Sequence, residues 1–99
     1  MIAIDAFYEA AGRAGLLHPA IWRPSAGQVV TAWVDFRAPD ESILDGLGVS
    51  TDYRIRYPAS RLAGLAQGDT LEIGGVAYRV REIRALGDGS EVRATLTRL

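Results

Sequence analysis

The chain has 99 residues, 48% of them hydrophobic and 23% charged. That is room for one hydrophobic core and for no second domain, and the composition fits neither a disordered tail nor a membrane protein. Eleven basic against twelve acidic side chains leave a net charge of -1, so no overall field draws the protein onto nucleic acid or an anionic membrane, and any such role needs a local patch.

The first element in the chain is a helix. Ile4, Phe7, Tyr8 and Ala11 recur at helical spacing and predict an amphipathic helix over residues 3–14, with that stripe on the core. Asp5 and Glu9 early and Arg13 late suit the helix dipole, Glu9 and Arg13 are one turn apart, and Gly15 can supply a left-handed cap.

Beyond the helix the period changes from 3.6 to 2, so the remainder reads as strands. Ala20–Arg23, fenced by Pro19 and Pro24, reads as a short edge strand. In Gln28–Arg37, Val30, Ala32, Val34 and Phe36 share the core face, and Thr31, Trp33, Asp35 and Arg37 share the other. Residues 38–48 follow no alternation and read as a long mobile loop with Ile43, Leu44 and Leu47 in it. Val49–Tyr57 alternates as a half-buried antiparallel strand that Pro58 stops. Ser60 is placed to cap one helical turn, tucking Leu62 and Leu65 under the sheet. Leu71–Ile73 and Val76–Val80 form a hairpin around Gly74-Gly75, whose glycines permit the positive φ angles of a two-residue turn. A shift of apolar phase between Val80 and Ile83 predicts a bulge, and Asp88-Gly89 turns the chain into a last strand with Val92, Ala94 and Leu96 inward. The expectation is a single domain, 1–99, mainly β with one N-terminal α-helix and a β region over about residues 20–99.

Side chains with chemistry to offer are few. The one histidine, His18, sits beside Pro19 with no metal-ligand spacing around it, and reads as structural or solvated. Ser60 lacks the glycine two residues ahead that a nucleophile elbow needs, so a turn cap is the better reading. Asp40, Glu41 and Asp45 do not match an EF-hand loop, and neither Gly46-Leu-Gly48 nor Gly74-Gly75 opens a phosphate-binding helix. Cysteine is absent, which excludes disulfides, thiolate metal sites and a Cys nucleophile. No catalytic residue, metal or cofactor is expected. No apolar run approaches the roughly 20 residues of a membrane-spanning helix, and the opening residues lack the basic start of a signal peptide, so the expectation is a protein used inside a cell and away from membranes.

All eleven basic residues are arginine, which fits either GC-rich codon usage, the favoured reading, or a use for forked guanidinium groups. Arg54 and Arg56 project from one strand face and Arg79 and Arg81 from another. Asp52, Glu72, Glu82 and Glu91 on neighbouring strands are available to pair with them, so these rows read as a mixed-charge solvent face or a subunit contact, with duplex binding a minor alternative. The apolar Ile43, Leu44 and Leu47, with Trp22 and Trp33, leave two readings open: cover for the core, or a partner contact.

The stretch Leu65-Ala-Gln-Gly-Asp-Thr-Leu-Glu-Ile-Gly-Gly-Val-Ala-Tyr-Arg-Val80, a turn at Asp88-Gly89, and the upstream Phe36-Arg-Ala-Pro-Asp-Glu-Ser-Ile43 together resemble the lambda-type phage head-tail joining proteins. The likeness covers residues 28–99, while the amino-terminal segment departs from it by reading as an amphipathic helix. The resemblance implies an antiparallel β-sandwich or barrel-like module without enzymatic activity. It also implies a virion protein, present in the host cytoplasm during assembly, that forms a ring on the portal-side connector of the DNA-filled head and meets the tail terminator protein. DNA contact is allowed but not required. On that basis the partner-binding residues are expected to be Phe7 and Tyr8 on the helix and Pro39, Asp40, Glu41, Ile43, Leu44 and Leu47 in the loop, with Arg54, Arg56, Arg79 and Arg81 at a subunit contact. The alternative is a small β-barrel adaptor or nucleic-acid-binding module.

Overall fold

A computed structural model of the chain describes residues 4–25, 27–39 and 52–99. One helix, α1 (Ile4–Arg13), precedes six strands: β1 (His18–Trp22), β2 (Val30–Arg37), β3 (Tyr53–Pro58), β4 (Thr70–Ile73), β5 (Val76–Leu86) and β6 (Glu91–Arg98). All pairings are antiparallel, and the strands close into a barrel in the order β1-β2-β3-β6-β5-β4. Of the two β architectures expected, the barrel is the one formed.

Alternation fills the interior. Ala20, Val34, Ile55, Ala94 and Leu96 are fully inaccessible, and Leu71, Ile73, Tyr78 and Val80 join them from β4 and β5. Small and large side chains share the space, as a narrow barrel requires. The turns over residues 59–65 are not helical; they lay Leu62 and Leu65 into the same core, and the Ser60 hydroxyl donates to Asp5 Oδ2 at 2.5 Å instead of capping its own turn. Near the end where β2 leaves and β3 returns, Phe36 stacks on Tyr53 at 5.9 Å, and Tyr78 closes on both rings. Burial pushes the Tyr78 hydroxyl pKa up, with Tyr53 adding to the effect.

Local sequence signals explain the turns. Gly74 and Gly75, at φ of 61° and 82°, make the tight hairpin turn between β4 and β5. Arg81 is the extra residue of a bulge, since Val80 faces Leu96 and Glu82 faces Thr95. Two sequence expectations need correction. β1 is no edge strand: it pairs with β2 on one side and β4 on the other, and Pro19, opposite Trp33, lies within it. The helix stripe is also rotated from the expected one, because Tyr8 and Gly12 are the buried positions of α1 while Phe7 is 62% exposed.

Three contacts lock α1 against the outside of β2 and β3. Asp5 at its start accepts from Ser60 and faces Arg61 at 3.5 Å. Tyr8 donates its hydroxyl to Glu91 Oε2 on β6, which also faces Arg56 at 3.8 Å. Gly12 rests directly on the Trp33 indole, and a Cβ there would come within 2.2 Å of the ring atom Cδ2. The helix then stops in a Schellman cap, with Leu16 N bonded to Ala11 O at 3.0 Å, Gly15 N to Gly12 O at 3.1 Å, and Gly15 at φ 83°.

Gly12→Ala gains about 1 kcal/mol in intrinsic helix propensity but forces α1 off Trp33. The expected net result is destabilisation of about 1–3 kcal/mol, which at this size lowers the midpoint of thermal unfolding by several degrees; an unchanged or raised midpoint would show that Trp33 is not the floor of α1.

Burial, then the bond to Glu91 and its charge, raise the Tyr8 pKa above its ordinary value near 10, and burial pushes Tyr57 up to about 12. Between the ordinary and raised values the folded chain holds protons that the unfolded chain has released, so this stability is complete below about pH 10 and declines as pH rises beyond it. Tyr8→Phe is expected to lose about 1–2 kcal/mol at neutral pH and to show a shallower alkaline decline, read by urea unfolding at both ends of that range.

Candidate functional site

Barrel closure turns alternate residues of each strand outward, and on β2, β3, β6 and β5 many of those residues are arginines. The register puts Arg37 of β2 opposite Arg54 of β3. Arg56 of β3 lies between Asp35 and Arg93, and Arg93 of β6 lies between Arg56 and Arg84 of β5. Three cross-strand pairs therefore set arginine directly against arginine, an arrangement that disfavours the folded sheet.

Acids on this face offset part of the charge. Asp35 accepts from Arg37 Nε at 3.1 Å, and that bond together with the carboxylate charge raises the Arg37 pKa. Arg84 lies 3.7 Å from Glu82, and the carboxylate of Glu91 near Arg56 is shared with Tyr8. Exposed pairs of this kind contribute little. The ion pairs among the described residues do not reach Arg54, Arg79 or Arg93. Asp35, Arg37, Arg54, Arg56 and Arg93 surround a shallow depression of about 240 Å³ floored by Ile55.

The expectation that acids on neighbouring strands pair with the arginine rows holds at one position, where Glu91 of β6 lies 3.8 Å from Arg56 of β3, and is otherwise corrected by the register. Of the four residues in the two rows, Arg56 alone has an acid directly opposite in the register, Asp35, and that acid is engaged by Arg37. Arg79 lies between Thr70 and Thr97, and the bulged Arg81 donates to Thr97 Oγ1 at 2.9 Å. Glu72 is across from Ile21 and Ala77 and pairs with Arg23. Arg37, Arg84 and Arg93 were not singled out in the sequence; their outward phase is visible there, but their convergence depends on which strands meet.

The remaining expected positions are dispersed. Phe7 points to solvent from α1, Tyr8 is 5% exposed in the helix-barrel contact, and Pro39 is half-buried just after β2. Asp40, Glu41, Asp45, Ile43, Leu44 and Leu47 lie outside the described residues. Trp22 is part of the barrel core, and Trp33 sits half-buried under α1. His18 meets the edge of Phe36, with ring centroids 5.6 Å apart, and the Ser60 hydroxyl donates to the Asp5 carboxylate. Among the described residues no group of three His, Cys, Asp or Glu side chains could hold a metal ion, and no helix is long and apolar enough to cross a membrane.

The arrangement is one of outward charge and a helix clamped to a closed barrel. No curated protein matches the chain. The family model of the phage head-tail attachment protein matches residues 1–97, which takes in α1 and all but the end of β6. With nearly its whole length matched, the chain belongs to the phage head-tail attachment protein family.

Proposed function

We propose that this chain joins phage head to tail as a structural subunit that docks in a ring on the head connector and offers its other side to the tail terminator protein. The observation that carries the reading is the family match over residues 1–97, which makes head-tail attachment in the virion its role and head and tail components its partners. The ring, the two named partners and a stay in the host cytoplasm during assembly are our extension of it. The fold is compatible with such work: a closed barrel is a stiff block, and a ring subunit needs two unlike adhesive faces on a stiff block.

The contacts we propose are Phe7, whose aromatic ring stands 62% exposed on a helix fixed at three points, and the segment that departs from β2 at Pro39. The latter continues through Asp40, Glu41, Ile43, Leu44 and Leu47. Tyr8 serves this surface indirectly by holding α1 in place. An exposed aromatic on a rigid support is a typical anchor for a protein interface.

In a phage lacking this gene, filled heads and separate tails are expected to accumulate, and the wild-type chain supplied in trans is expected to join them. Phe7→Ser should leave thermal stability within about 0.5 kcal/mol of wild type yet lower the yield of joined particles at least about tenfold, scored by electron microscopy and plaque titre. Joined particles in the absence of the gene would sink the reading; full joining by Phe7→Ser would remove Phe7 from the contact.

A further inference from the structure

We propose that the outer face of β3, β6 and β5, with Arg37 at its margin, binds the phosphodiester backbone of double-stranded DNA without reading base sequence. Three cross-strand oppositions, Arg37 with Arg54, Arg56 with Arg93 and Arg93 with Arg84, concentrate positive charge that Asp35, Glu82 and Glu91 offset only in part. An anion laid across the strands turns that repulsion into attraction. Neighbouring strands are about 4.8 Å apart and alternate residues about 6.6 Å, so the guanidinium groups form a lattice dense enough to meet a polymer with one charge per roughly 1.7 Å of axis.

The composition of the face selects DNA over an acidic protein. Between the arginines stand Thr95 and Thr97, with Glu82 and Glu91 each already beside an arginine, and hydroxyl and guanidinium groups are the usual partners of backbone phosphates. A protein interface of useful strength needs an apolar centre. The exposed large apolar residues among those described are Phe7, Leu16, Val29 and Leu99, on or after α1, ahead of β2 and past the end of β6, so none stands among these arginines. The net charge of -1 makes the rest of the molecule acidic relative to this face, which orients an approaching polyanion toward it. The inference stands apart from head-tail joining, since the face exists whether or not a tail is met.

The test is an amide-shift titration of the isotope-labelled chain with a short duplex of arbitrary sequence at low ionic strength, repeated at rising salt. Shifts are expected at Arg54, Arg56, Arg84, Arg93 and Thr97, with log affinity falling linearly in log salt by about 0.9 per phosphate neutralised. Arg54→Gln combined with Arg93→Gln should flatten that slope by about two and keep or raise the unfolding midpoint, because like-charge oppositions are relieved. Arg13→Gln, on α1, should change neither binding nor slope. The proposal is overturned by absence of shifts, by shifts centred elsewhere, by equal weakening in Arg13→Gln, or by polyglutamate of matched charge binding as tightly as the duplex. It is also overturned if the double variant loses self-association in sedimentation while DNA binding is untouched, which would assign the face to a second copy. Phe7→Ser should bind DNA normally, so failure of the joining reading and failure of this one give different results.

Discussion

Closure of six short strands into a single barrel is the constraint on which the other features depend. A barrel this narrow has room inside for side chains and little else, so each inward position must match its neighbours in size. Ala20, Ala32 and Ala94 leave the volume that Trp22, Leu71, Tyr78 and Leu96 occupy. The two long aromatics Phe36 and Tyr53, packed against Tyr78, and the leucines of the 59–65 turns complete a core that contains no buried charged or polar residue among those described. Function is therefore left to the outside.

Two surfaces result from this division. Along β2 and β3 the barrel wall is covered by α1, whose glycine at position 12 permits the helix to lie on an indole, and whose Tyr8 reaches Glu91. Farther round, β6 and β5 with the adjoining side of β3 carry guanidinium groups set against one another. The first surface presents a fixed aromatic ring, the second a field of charge.

Much of this fold could be read in the residues. The alternation of β3, the Gly74-Gly75 hairpin, the bulge at Arg81 and the Gly15 cap each depend on local chemistry, which a sequence carries in full. What escaped reading depends on partners distant in the chain. Pro19 made β1 look like an edge because a lone sequence does not show that two strands flank it. The buried side of α1 was misjudged because Gly12 has no apolar signal, although its smallness is what admits Trp33. Ser60 was read as a cap for its own turn, whereas its acceptor is 55 residues away. The arginine face was half legible: each outward residue could be assigned from its strand, but the meeting of Arg56 with Arg93 is a matter of register between segments 37 positions apart.

The unequal strand lengths have one more consequence. Every strand of the barrel has a neighbour on both sides, but β4 reaches only Val76–Arg79 of the long β5, so Glu82–Leu86 pair among the strands with β6 alone. The outward side chains of that stub include Glu82 and Arg84, which face each other at 3.7 Å, and charge on an open edge is a common guard against cross-β growth.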